Sequence, residues 1–176
     1  MTIGEARRNL DEFRLKLRVV SYDIESTGLK ADFGYVFCVC FKQYGGKTIT
    51  FRIDDKRNPD KNSDKWVIEQ AIKYINESVD VLEGYNSLWF DSPFIKSRQL
   101  VHRLPEYLNP VYHRDLYHTA KSNTRFRRKS LLVIESQLFD RQTKTHVTPE
   151  IWMDGIRGKK SAIDFVVDHC IKDVAL

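Results

Sequence analysis

Apolar and polar residues alternate with several different rhythms along this chain, and each rhythm predicts an element. Residues 17–25 (Leu-Arg-Val-Val-Ser-Tyr-Asp-Ile-Glu) read as a buried strand. Asp23 and Glu25 fall on one face of it, and Tyr22 and Ile24 on the other. Residues 35–43 (Tyr-Val-Phe-Cys-Val-Cys-Phe-Lys-Gln) are apolar on both faces, which predicts a central strand. The turn signal Tyr44-Gly45-Gly46-Lys47 leads into a third strand from Thr48 to Ile53, so the first three strands form a meander. After a polar loop at 54–62, Val67, Ile68, Ala71, Ile72 and Ile75 recur at helical spacing from Ser63 to about Asn76. Val79 to Glu83 is a short strand, and the helix before it predicts a crossover that lays it parallel to the first.

Ser92 suits an N-cap and Pro93 the first helical position, so a helix is expected over 93–103 with Asp91 just outside its N-terminus. Val111 to Leu116 reads as the last strand. Ser130 opens a helix carrying Leu131, Leu132, Ile134, Glu135, Leu138 and Phe139. Residues 140–160 read as a long polar connection. Ser161 with Asp164 resembles a capping box for a final helix whose apolar face is Ile163, Val166, Val167, Cys170, Ile171 and Val174. On that helix His169 and Asp173 are four apart and share a stripe. Residues 1–16 predict a short helix at the domain edge, an N-terminal extension to one α/β domain spanning 1–176. Its expected core is a mixed sheet of five strands flanked by helices.

Composition narrows this only slightly. A chain of 176 residues, 41% hydrophobic and 30% charged, is long enough to bury a real core. No apolar run approaches ~18 residues and the N-terminus lacks a secretory pattern, which predicts a cytoplasmic protein, or one of the host-cell interior if viral, with no membrane partner. A net charge of +5 and a pI near 9.1 suit a polyanionic partner but do not establish one. The three cysteines make no disulfide framework and read as buried thiols. Cys170 beside His169 lacks a second pair at zinc-ligand spacing, so no zinc is predicted.

The chemistry starts from the first strand. Two carboxylates on one strand face repel each other and are costly to desolvate. A divalent cation relieves both costs, and hard oxygen donors favour Mg²⁺ or Mn²⁺. Asp91, at the turn leaving a strand, sits where an open α/β sheet places site residues. Asp173 and His169 come from the last helix. Four carboxylates can hold two ions ~4 Å apart around a phosphodiester, with a side chain such as His169 to orient or deprotonate a water.

Three motifs carry a resemblance. Residues 17–25 resemble the first exonuclease motif of family B DNA polymerases. Gly84-Tyr85-Asn86 through Phe90-Asp91-Ser92-Pro93-Phe94-Ile95 resembles the second, and His169-Cys170-Ile171-Lys172-Asp173 resembles the third, Tyr-Cys-Leu-Lys-Asp. YprB-type RNase H-like nucleases share the motif order, and Arg114-Asp115-Leu116-Tyr117 resembles a stretch both groups carry. The chain is thus identified as resembling a DEDD-superfamily 3′–5′ exonuclease on an RNase H-like fold, over about residues 17–176. The resemblance implies Asp23, Glu25, Asp91 and Asp173 as ligands of two Mg²⁺ or Mn²⁺ ions and His169 as general base. It also implies single-stranded nucleic acid as partner, DNA favoured over RNA. Histidine replaces the usual tyrosine four residues before the last aspartate. With no polymerase fingers, palm or thumb in the sequence, a free-standing nuclease is expected.

Substrate contacts are expected from Thr27 and Gly28 through backbone N–H groups, from Asn86, from Phe90 (with Trp89) by stacking on a base, and from Arg125, Arg127 and Arg128 on phosphates. Two alternatives remain open at the level of sequence: a ribonuclease or structure-specific endonuclease on the same metal site, and a catalytically silent binding module.

Overall fold

The computed structural model describes residues 17–106, 108–139 and 145–176. The helix expected within 1–16 lies outside the described residues. Strands β1 (Val19–Ser26), β2 (Val36–Gln43) and β3 (Thr48–Arg52) form the expected antiparallel meander. Helix α1 (Lys65–Ser78) crosses over and delivers β4 (Val81–Gly84) parallel to β1, and β5 (Tyr112–Asp115) adds parallel to β4. The order β3-β2-β1-β4-β5 puts the carboxylate strand at the centre of the sheet. Residues Val36 to Phe41 of β2 are all buried, as its two-sided apolar pattern requires.

Helices cover both faces. Val67, Ile68, Ala71, Ile72 and Ile75 of α1 are buried on the side where Tyr22 stacks on Phe41 and Phe41 meets Tyr74. The other face is covered by α6 (Lys160–Val174), which buries Ile163, Val166, Val167, Cys170 and Val174. The expected capping box is not what starts this helix. Lys159 holds the N-cap position without a side-chain cap, and Asp164 instead pairs with Arg52 and Lys160. Magnitudes explain the outcome: a cap contributes about 1 kcal/mol, whereas each fully buried aliphatic side chain contributes roughly 1.5–3 kcal/mol. Packing therefore fixes where α6 sits.

Other boundaries differ from expectation for similarly local reasons. Helix α2 runs Asp91–Val101 and already contains Asp91, because Ser92 gives its hydroxyl to a hydrogen bond with Tyr22 instead of capping. Helix α3 (Leu116–Asn123), capped by Asp115, follows β5 directly and ends just before Arg125. Helix α4 (Leu131–Phe139) lies where predicted. The connection expected over 140–160 contains α5 (Pro149–Ile156), announced by Thr148-Pro149-Glu150: cap, first-position proline and first-turn acid.

One buried ion cluster ties the layers together. The Asp64 carboxylate, fully buried at the start of α1, accepts from Val36 N (2.8 Å), Arg98 Nε (2.9 Å) and Arg98 Nη2 (2.8 Å), and His102 Nε2 lies 2.6 Å away. Arg98 also donates to Ala31 O at 2.9 Å, so α1, β2, α2 and the 27–35 loop meet at one carboxylate. Removing one partner of such a pair strands a buried charge. Arg98→Ala should lower the unfolding free energy by about 3–5 kcal/mol in urea denaturation. A loss below about 1 kcal/mol, the range of an exposed ion pair, would contradict this role.

Candidate active site

The alternation of β1 sends Tyr22 and Ile24 into one layer and leaves Asp23 and Glu25 on the face that α6 covers. Register sets them opposite Cys40 and Cys38 of β2. The last helix brings His169 and Asp173 to the same place: His169 Nε2 is 3.6 Å from Glu25 Oε1 and 3.8 Å from Asp173 Oδ2. Asp91 arrives from α2, and its Oδ1 accepts the Ile24 amide at 3.0 Å, a bond that clamps the helix start onto the strand between the two β1 carboxylates.

Electrostatics binds the four acids into one group. Burial raises the Asp23 pKa well above its ordinary value, and the charges of Asp91, Glu25 and Asp173 raise it further. Burial pushes Asp91 up to about 7 against hydrogen bonds from Ile24 N and its own amide, with Asp115 adding to the rise. Glu83, the buried acid one strand over, is instead paired with Arg114. Hard oxygen donors held together against repulsion are the donor chemistry that Mg²⁺ or Mn²⁺ requires, so the residues present fit such ions. Among the described residues, the group of three donors within 4.8 Å of one another is Cys38, Cys40 and Cys170.

Two contributors were given no site role from the sequence. Thr145 Oγ1 lies 2.7 Å from His169 Nδ1, which orients the ring so that Nε2 faces Glu25 and Asp173. Nothing local marks Thr145, since the contact spans 24 residues. Asp115 accepts from Asn86 N (2.9 Å), Leu88 N (3.0 Å) and Tyr117 N (2.9 Å), locking the turn that leads to Asp91. An aspartate directly before a helical run was the available signal.

The expected substrate contacts fare unevenly. Thr27 N donates to Tyr35 O at 2.9 Å and its hydroxyl accepts from Tyr35 N, so its amide closes a loop and does not face a ligand. Gly28 is exposed just after it. Asn86 is exposed at φ 63°, a left-handed position asparagine tolerates, and its backbone serves the turn. Phe90 is half-buried and packed on Phe94, with ring centroids 5.6 Å apart. Trp89, 72% exposed and donating to His118 Nε2 at 2.8 Å, is the accessible ring. Arg125, Arg127 and Arg128 are exposed, on a segment tied to the second-motif loop by a hydrogen bond from Tyr85 Oη to Lys129 O.

The raised acids predict a pH dependence. A carboxyl whose folded-state pKa exceeds its unfolded value binds its proton more tightly when folded, so its contribution to stability falls as pH rises. For Asp91 the window runs from the ordinary 3.8 through about 7. Without divalent cations, thermal melts should therefore show stability falling across this window, and Mg²⁺ or Mn²⁺ should restore more at about pH 8 than at about pH 5. His113, whose pKa burial lowers, acts in the opposite sense, so the diagnostic is the comparison with Asp91→Asn. That variant should flatten the profile and shrink the cation effect. An unchanged profile would contradict the assignment.

Comparison with known proteins bears on the fold that carries these residues. The family B DNA polymerase of the hyperthermophilic archaeon Pyrobaculum calidifontis superposes with a TM-score of 0.71 at 20% identity, over 90% of this chain and 23% of the polymerase chain. That likeness shows a shared fold, and this chain spans less than a quarter of the polymerase's length. No curated protein matches the sequence. The family model described as the RNase H superfamily matches residues 20–176. The chain belongs to the RNase H superfamily.

Proposed function

We propose that this chain is a metal-dependent 3′–5′ exonuclease that releases nucleoside 5′-monophosphates from single-stranded DNA. Superfamily membership supports a nuclease acting on nucleic acid. The observation that carries the finer reading is the meeting of four acids from three separate elements with His169 between two of them. Asp23, Glu25, Asp91 and Asp173 would hold the ions. When bound, two divalent ions supply acidification of the attacking water and stabilisation of the leaving 3′ oxygen.

The chain's own residues supply the remainder. His169 is placed to take a proton at Nε2. An Nδ1–H donated to the Thr145 hydroxyl would leave the Nε2 lone pair facing the carboxylates, the tautomer a general base needs. Asp91 carries the clamp that keeps β1 and α2 in register. The basic segment 125–129 and exposed Trp89 offer a track for phosphates and a face for a base. The structural likeness to a DNA polymerase favours DNA over RNA.

End-labelled oligonucleotides of matched DNA and RNA sequence test this directly. A 5′-labelled DNA strand should shorten stepwise with Mg²⁺ or Mn²⁺, and a circular strand should stay intact. Asp23→Ala and Asp173→Ala should abolish cleavage, while His169→Ala should lower turnover roughly 100- to 10,000-fold with little change in affinity. Cleavage of the circle would replace the exonuclease reading with an endonuclease. Binding without hydrolysis by the unaltered protein in manganese would sink it.

A further inference from the structure

The chain has three cysteines, and the fold brings all of them to one point. Cys38 and Cys40 alternate along β2 and so share a face. Register sets that face opposite Glu25 and Asp23, and α6 packs Cys170 against it from the layer above. All three are completely buried, and their sulfurs lie within 4.8 Å of one another. Cys170 Sγ donates to the Asp23 carbonyl at 3.4 Å, and Cys40 Sγ lies 3.5 Å from Thr50 Oγ1.

A lone buried thiol acts as a small apolar side chain and asks for no explanation. Three sulfurs converging from two elements make a donor set. With a metal–sulfur bond of about 2.3 Å, a trigonal centre holds its sulfurs about 4.0 Å apart, so this cluster needs only a slight contraction to close on an ion. Thiolates select soft cations, whereas the carboxylates on the same sheet face select hard ones. The two donor sets therefore discriminate between cations rather than compete for the same one.

We infer that Cys38, Cys40 and Cys170 form a binding site for one thiophilic d¹⁰ cation of the zinc, cadmium or copper(I) class. Thr50 Oγ1 and the Asp23 carbonyl are oxygens in contact with these sulfurs. Binding a divalent ion as three thiolates releases three protons to solvent and involves no redox change. The bound ion would join β2 to α6 directly beneath Asp23, bracing the helix that carries His169 and Asp173. This site does not depend on the nuclease reading.

The full chain can be refolded under reducing, chelator-treated conditions with one equivalent of Cd²⁺ and a large excess of Mg²⁺, then desalted. The wild-type protein should retain one cadmium per chain, show an ultraviolet thiolate-to-cadmium charge-transfer band, and melt at a higher temperature than the cadmium-free protein. Cys170→Ala and Cys40→Ala should lose retained cadmium and band together, while Asp23→Asn should keep both. If either alanine variant fails to fold, the wild-type band and retained metal still decide the question. No cadmium retained against magnesium, or retention without the thiolate band, would overturn the site. Retention lost in Asp23→Asn but kept in the cysteine variants would also overturn it.

Discussion

The constraint on which this structure turns is the mutual repulsion of carboxylates on and around the central strand. Asp23 is pressed by burial and by three other acids, and Asp91 shares the burial. Left to themselves such groups would spread into solvent. They stay because each rides on an element fixed by something stronger than the repulsion. Strand β1 is held on both sides by paired strands, and α6 is held by six buried apolar side chains.

The attachment of α2 is the least obvious part of that scaffold. Its first residue is itself one of the acids, so packing further along the helix must set its position to within a hydrogen bond. Three polar links do this. Ile24 N reaches Asp91, Tyr22 Oη meets Ser92 Oγ at 2.7 Å, and Arg98 binds the buried Asp64. Asp115 adds a fourth by fastening the turn just before the helix. Polar links around α2 thus help decide whether the acids meet.

Much of this was legible along the chain. The period-two pattern of β1, the apolar run of β2 and the stripes of α1 and α6 rest on residues that obey local rules, and those elements form where expected. Motif order placed Asp23, Glu25, Asp91 and Asp173 in one reading, and the fold brings them together. The misreadings arose where a side chain had a better partner elsewhere. Ser92 turned to Tyr22 and Asp164 to Arg52, so neither caps its helix. Thr145 and the meeting of Cys170 with Cys38 and Cys40 depend on contacts across 24 or more residues, for which no local pattern exists.

His169 shows how one substitution within a motif is accommodated. Its ring is held at Nδ1 by Thr145 and presents Nε2 to Glu25 and Asp173, so a histidine at the tyrosine position still faces the acids. The central claim is that these acids form one divalent-cation site. It is tested most directly by anomalous diffraction from a crystal soaked in Mn²⁺ with a short single-stranded oligonucleotide. The account predicts manganese peaks in contact with Asp23 and shared among Glu25, Asp91 and Asp173. Manganese absent from these carboxylates, or bound only elsewhere on the surface, would contradict it.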